Sequence, residues 1–400
     1  MALVTLEDVT RAAGRLAGVV QQTPVEESRA VSGLAGHPTV LKCEHLQRTG
    51  SFKIRGAYNR IAGLSDRERE RGVVCSSAGN HAQGVALSAA LVGVPATVFM
   101  PVGVPLPKLE ATRGYGATVV LAGDSYDDAH AAAQAWTREH EATFVHPFDH
   151  LDVIAGQGTI GLELLEQVPD LGAVLVPVGG GGLVSGIAAA IKAVRPEVRV
   201  IGVQAAGAAA VPASLAAGAP RTLPETTTFA DGIAVRTPGA LTLAHIAAHV
   251  DEVVTVSDEA IARAVLVLVE RAKQVVEPAG AAGLAALLEG VTMGAGTVVP
   301  VLAGGNVDPL LLARLLQSGL FEEGRYFAFR TRLRDRPGAL SHLLALIGDA
   351  GANVVAISHH RLGTRLGVLE VEVQIEVEAR GHDHIRQLEG SLTAAGYPVS

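Results

Sequence analysis

The chain has 400 residues, 48% of them hydrophobic and 18% charged, with a net charge of −8. Such a length supports more than one domain and a large buried core, and the composition excludes a disordered chain. The acidic balance, with basic residues spread along the sequence, argues against nucleic acid or an anionic membrane as the main partner. Cys43 and Cys75 are the only cysteines; a disulfide framework is therefore excluded and a reducing, cytoplasmic compartment is expected.

The first twenty residues lack the basic-then-apolar pattern of a signal peptide. Leu6, Val9, Ala13 and Leu16 recur at helical spacing behind Thr5, which predicts an amphipathic helix with a threonine cap. From residue 39 to about 205, short β-branched runs alternate with alanine-rich helical patterns. "GVVCSS", "ATVFM", "ATVVLA", "AVLVPV" and "VRVIGV" read as strands. In "SDRERERG", Ser65 and Glu68 predict a capping box and Gly72 a stop. Strands alternating with helices imply parallel sheets covered on both faces, with ligands at the carboxyl ends of the strands. Leu171 to Ile191 carries no charge, but Pro177 and four glycines make it a strand, loop and helix rather than a membrane span.

The segment from Ala205 to Pro238 has weak periodicity. It is followed by a helix ("SDEAIARAVLVLVERAKQ"), by "EPAGAAGLAALLEG", and by a strand "TVVPVLA" ending in "GGN". After about residue 324, "RYFAFRTRL", "PGALSHLLALIGDAG", "NVVAISHHRL", "GVLEVEVQIEVEA" and "HDHIRQLEGSLTAAG" read as β-α-β-β-α, with "YPVS" as a further strand. The period-two run "LEVEVQIEV" indicates an antiparallel sheet with one wet face. The expected organisation is a domain over 1–320, with a smaller subdomain at about 50–150, followed by a small α+β domain over 325–400.

Three stretches carry chemistry. In "VPVGGGGLVSG" a buried strand runs into Gly179, Gly180, Gly181 and Gly182 and then a helix, which suits an anion held by backbone N–H groups. In "CSSAGNHAQGVA", Ser77, Ala78, Gly79, Asn80 and His81 form a second strand-loop-helix. It suits a carboxylate, although plain capping and a satisfied loop histidine fit equally. "LAGGNVD" is a third glycine-bearing strand end. In "RTGSFKIRGA", Lys53 stands between Phe52 and Ile54 rather than among charges. A phosphate-bearing carbonyl cofactor that forms a Schiff base would use all four, and arginine could not replace that lysine.

"SFKIRGA", "SSAGNHAQGVA", "GQGTIGLEL", "VPVGGGGLVSG", "ADGIAV", "EPAGA" and "GGNVD" occur in an order that resembles the threonine ammonia-lyases (threonine dehydratases) of the tryptophan-synthase-β-like pyridoxal-phosphate enzymes. The resemblance covers nearly all of residues 1–320. It implies an α/β, two-subdomain parallel-sheet core of PLP fold type II that binds pyridoxal 5′-phosphate. By the same resemblance, Lys53 is the Schiff-base and catalytic lysine, and Phe52 lies against the cofactor. Asn80 bonds its 3′-oxygen, Gly179 to Gly182 with Leu183 hold its phosphate, and Ala303 lies at the pyridine nitrogen. The Ser77–His81 loop holds the substrate carboxylate. The implied reaction converts L-threonine to 2-oxobutanoate and ammonia, with L-serine as a second substrate. Residues 325–400 resemble an ACT domain (ferredoxin-like), with Asp335, Gly338, Ala339 and Asn353 near its small-molecule effector and pairing into a homodimer or homotetramer expected.

Three departures stand out. Many relatives carry serine or cysteine where this chain has Ala303. Racemases of the family carry a serine where this chain has Ala78, so its absence favours dehydration over racemisation. The acidic pair of the family's divalent-cation site is replaced by Gln204 and Ala210, and no metal is expected there. Alternative readings are a serine or 3-hydroxyaspartate dehydratase, or an amino-acid sensor with a weakened catalytic core. The effector, and a role in isoleucine biosynthesis or in threonine breakdown, stay open at this level.

Overall fold

The computed structural model describes residues 2–361, 367 and 369–400. The chain divides into two compact units, Met1–Asp308 and Pro309–Ser400. In the first, Thr5 caps the helix Leu6–Leu16 through a reciprocal box with Asp8, and Ser65 and Glu68 form the same device ahead of Asp66–Arg71. Strands β1 (Val25–Glu27) and β2 (Val40–Lys42) pair antiparallel. A smaller sheet holds β3 (Val73–Ser76), β4 (Ala96–Met100), β5 (Thr118–Leu121) and β6 (Thr143–Phe144), in the order β5-β4-β3-β6 and all parallel. A larger parallel sheet holds β7 (Leu171–Pro177), β8 (Arg199–Ala205), β9 (Glu252–Val256) and β10 (Thr297–Pro300), in the order β10-β7-β8-β9.

The parallel strands read from the sequence are the four inner ones and the two edges β5 and β10. The two it missed, β6 and β9, are both edge strands; β9 is half exposed and opens with Glu252, so it lacks the continuous apolar run of a covered strand. The single helix expected over 257–274 is Asp258–Val267 followed by a π turn, Leu268–Ala272. That wider turn ends at Lys273 in the left-handed region, where the Gln274 N–H bonds back to the Leu268 carbonyl. Each parallel sheet has its own apolar cluster: Val73, Cys75, Val98 and Met100 in the smaller, Val174, Val176, Val200 and Val299 in the larger. Among the described residues, no helix is long and apolar enough to cross a membrane.

In the second unit, β11 (Tyr326–Arg334), β12 (Asn353–His360) and β13 (Glu370–Glu378) form an antiparallel sheet in the order β11-β13-β12. Helices Ala339–Asp349 and His382–Ala394 cover one face, packing Leu343, Ile347, Leu388 and Leu392 on Phe329, Leu333, Val373 and Ile375. Arg330 and Ser400 exchange both backbone hydrogen bonds, so the C-terminal tetrapeptide lies along β11. Leu362 and Val368, in two of the predicted strands, lie outside the described residues.

Candidate active site

Lys53 opens the helix Lys53–Ala62. Its side chain is partly buried, and its ammonium donates one hydrogen bond, to the Pro147 carbonyl at 3.0 Å. Burial pushes its pKa down to about 8, although the Glu277 carboxylate opposes the shift. The Phe52 ring centroid lies 5.1 Å from Nζ. An ammonium has three donors, so two of them face no acceptor among the described residues.

The loop that receives Lys53 also reaches the glycine loop. The His146 Nδ1 accepts from the backbone N–H groups of Phe148 and Asp149. A Cβ on Gly180 would come within 2.3 Å of the Phe148 ring. Asp149 accepts from the Thr242 N–H, and the Thr242 hydroxyl donates to the Gly180 carbonyl at 2.6 Å. Gly181 sits at φ 97°, a region that strains other residues, and caps the helix Gly182–Val194. The first N–H groups of that helix have no intrahelical partner and point, with the helix dipole, at the mouth of the loop. Leu183 is the second residue of this helix and is buried.

Asn80 begins the helix Asn80–Val92 directly after β3 and the Ser77–Gly79 turn. Its Nδ2 donates to Glu277 Oε1 at 2.7 Å. Glu277 is buried, and that burial, then the nearby Asp231, raises its carboxyl to about pH 7 against the Asn80 bond. The Ser77 hydroxyl accepts from the Gly79 N–H at 3.2 Å. Ala78 is packed on the apolar cluster of the smaller sheet. His81 is engaged elsewhere: its Nε2 bonds the Val145 carbonyl at 2.8 Å, and burial, then the charge of Lys53, drops its pKa to about 3. A ring held neutral by its surroundings is a structural donor at neutral pH rather than a proton carrier. Ala303 is buried among Val176, Val178, Leu183 and Phe52, and its carbonyl accepts from the Phe52 N–H.

Two hydroxyls in this wall have no partner: Thr49 Oγ1 and Ser51 Oγ are buried and unbonded. Orphaned hydroxyls, an under-used ammonium and a glycine loop at a helix N-terminus are the requirements of a polar, phosphate-bearing group. The residues fit pyridoxal phosphate. The structure therefore brings Lys53, Phe52, Asn80, the glycine loop and Ala303 into one connected wall. Sequence reading quoted Glu277, Asn306 and Asp231 inside motifs but gave them no part; it missed the 145–149 loop altogether. Only the bonds made after folding distinguish those residues. Gln204, at the position considered for a cation, is fully buried; its amide donates to the Val178 and Ala208 carbonyls and accepts from the Val211 N–H. Among the described residues no cluster of three or more metal-ligating side chains occurs.

In the second unit, Asp335, Gly338 and Ala339 share the turn after β11, where Asp335 pairs with Arg361 and Gly338 caps the helix at φ 84°. Asn353 begins β12, level with Tyr326 across β13, and bonds Glu378. Arg334 is level with Glu370, so Asn353 lies a strand length, roughly 25 Å, from the Asp335 turn.

A two-sheet parallel core with a lysine at the start of one helix and a glycine cup at the start of another defines a pyridoxal-phosphate enzyme of fold type II, followed by an ACT unit. The profile of the family described as pyridoxal-phosphate dependent enzyme matches residues 16–304, and that of the ACT domain matches 328–390. An L-threonine ammonia-lyase of Thermotoga maritima is 47% identical over 397 residues, 99% of each chain. The processed form of threonine deaminase isoform 2 from Solanum lycopersicum superposes with a TM-score of 0.76 at 34% identity, covering 80% of this chain and 91% of that one. Maize serine racemase superposes at 0.75 with 37% identity, covering 81% and 100%. The chain belongs to the threonine ammonia-lyase family of pyridoxal-phosphate dependent enzymes, and pyridoxal 5′-phosphate is its cofactor.

Proposed function

We propose that this enzyme dehydrates and deaminates L-threonine to 2-oxobutanoate and ammonia, with L-serine as a further substrate. The single observation that carries the reading is Lys53: a lysine brought down to about pH 8 with one protein acceptor, in a wall of unpartnered hydroxyls. When bound, pyridoxal phosphate supplies an electron-withdrawing ring that stabilises charge at the α-carbon of an amino acid. Lys53 anchors it and moves the α-proton, a task suited to a base whose pKa lies near the working pH. The N–H groups of Gly179–Gly182 and Leu183 hold the phosphate. With the cofactor bound, Phe52 would flank it, the Asn80 amide would bond its 3′-oxygen and Ala303 would face its ring nitrogen. Ser77 and the N–H groups of Ala78, Asn80 and His81 hold the substrate carboxylate.

Residues 1–320 do this chemistry in our reading, and 325–400 sense a small molecule. A small ligand that touched both the Asp335–Ala339 turn and Asn353 would have to lie between two copies of this unit, the arrangement a regulated homodimer or homotetramer would provide.

The test is to mix cofactor-loaded enzyme with L-threonine, L-serine and 3-hydroxyaspartate and follow the 2-oxo acid. A specificity constant highest for threonine supports the proposal. Bound cofactor with no 2-oxo acid from any of them overturns it. A preference for serine or 3-hydroxyaspartate replaces it with the neighbouring dehydratase.

A further inference from the structure

Asn306, in the third glycine-bearing strand end, faces the segment that leads into Lys53. Its Nδ2 donates both to the Thr49 carbonyl at 2.7 Å and to Asn80 Oδ1 at 2.8 Å. Asn80 passes the pattern on, donating its own Nδ2 to Glu277 Oε1 at 2.7 Å. The three side chains form one directional relay: Asn306 fixes the oxygen of the Asn80 amide, Glu277 takes one of its hydrogens, and one N–H remains.

Two neighbours are shaped around this relay. A Cβ on Gly50 would stand 2.5 Å from Asn306 Oδ1. A Cβ on Gly304 would stand 2.4 Å from Glu277 Oε1 and 3.0 Å from Asn80 Nδ2. The backbone is also held out of its ordinary range. Thr49 has φ 65° and ψ 11°, a left-handed conformation that is strained for a β-branched residue. That geometry belongs to the turn whose carbonyl meets Asn306. A strained turn, two sterically barred glycines and three bonds from distant parts of the chain converge on one side-chain orientation.

We infer that Asn306 is a positioning residue for the cofactor: through Thr49 and Asn80 it sets which face of the Asn80 amide, donor or acceptor, is presented to the ring oxygen. The inference rests on the reading of Asn80 as the cofactor's partner. With the amide held from both sides, a hydrogen faces the cofactor; without Asn306, only the Glu277 bond still favours that orientation and the oxygen is no longer fixed.

The decisive variant is Asn306→Asp, which keeps shape and volume but turns acceptors towards two oxygens. Asn306→Ala removes the bonds without adding charge. Gly304→Ala disturbs the relay from its far side without touching Asn306. For each, and for Asn80→Ala, the absorption maximum of the bound cofactor and its dissociation constant are measured, alongside thermal unfolding of the cofactor-free protein. The expected result is a shift of the absorption maximum in the direction given by Asn80→Ala, with roughly tenfold weaker cofactor binding, the scale of one or two lost hydrogen bonds. Adding Asn306→Ala to Asn80→Ala then changes neither quantity further. If Asn80→Ala changes spectrum and affinity while the Asn306 and Gly304 variants match the wild type in both, the relay is overturned and the Asn80 reading stands. If Asn80→Ala itself changes neither, the Asn80 reading falls and takes the relay with it. A variant that only lowers the unfolding temperature, with spectrum and affinity unchanged, also overturns it.

Discussion

Two clusters of buried charge lie two residues apart on one helix, and they are built on opposite principles. Around Arg55, every charge is matched. Its guanidinium donates to Glu44, Glu163, Thr159 and the Gln21 carbonyl. Lys42 uses all three donors, on the Thr23 carbonyl, Glu163 and Gln167. Burial alone would keep Glu44 neutral, but the Arg55 charge overrides it and holds that carboxyl below its usual range. Around Lys53 the accounts are left open, with one acceptor for the ammonium, two hydroxyls unpartnered and a carboxyl raised to about 7. A saturated polar network stabilises the scaffold; an unsaturated one waits for a ligand. The "SFKIRGA" stretch contains both: Arg55 fixes the helix so that Lys53 can stay unpaired.

The largest way to separate the two is Lys53→Ala. It should lower turnover by at least about a thousandfold while the unfolding temperature of cofactor-free protein moves by no more than a few degrees. Loss of fold together with activity would erase the distinction. The mirror experiment is Arg55→Met, which strands Glu44 and leaves Glu163 only its pair with Lys42. It should cost about 3–5 kcal/mol of stability by urea unfolding, with the folded fraction still able to capture cofactor.

The third probe is pH. The folded protein raises the Glu277 carboxyl from 4.5 to about 7. Between those values the fold keeps a proton that the unfolded chain has released. Its contribution to stability is therefore complete below 4.5 and lost as pH rises through 7. Glu277→Gln, always neutral, should gain stability relative to the wild type between pH 5 and pH 8, by about 3 kcal/mol at most. Equal differences at both pH values, measured on cofactor-free protein, would contradict the buried carboxyl. The smallest effect belongs to Ala303→Ser. Its methyl packs in an apolar cluster, and the added hydroxyl should change turnover by less than about fivefold, or under about 1 kcal/mol; a larger gain would mean that the ring nitrogen lacks a partner it needs.

The parallel core was legible because its inner strands are covered on both faces and write themselves as β-branched runs. The edges β6 and β9 were not: β6 is only two residues long and β9 opens on an exposed acid, whereas the edges β5 and β10 are written as β-branched runs and were read. Of the site, the residues that sit in glycine-rich turns announced themselves, because only unusual backbone needs those glycines. Glu277 and Asn306 were in view as letters but silent as chemistry: an acid before a proline and an asparagine after two glycines look like ordinary caps. Their meaning comes from partners some two hundred residues away. The 145–149 loop has no periodicity at all, and only its bonds to Lys53, His81 and Thr242 reveal it.

The central claim is that the open cluster, and not the saturated one, receives the cofactor. Reducing the cofactor-loaded enzyme with borohydride, then digesting it and mapping the phosphopyridoxyl group by mass spectrometry, tests it directly. The group is predicted on the peptide carrying Lys53, at about one equivalent per chain, with none on Lys42. Label on Lys42, on Lys108, or spread over several lysines would contradict it.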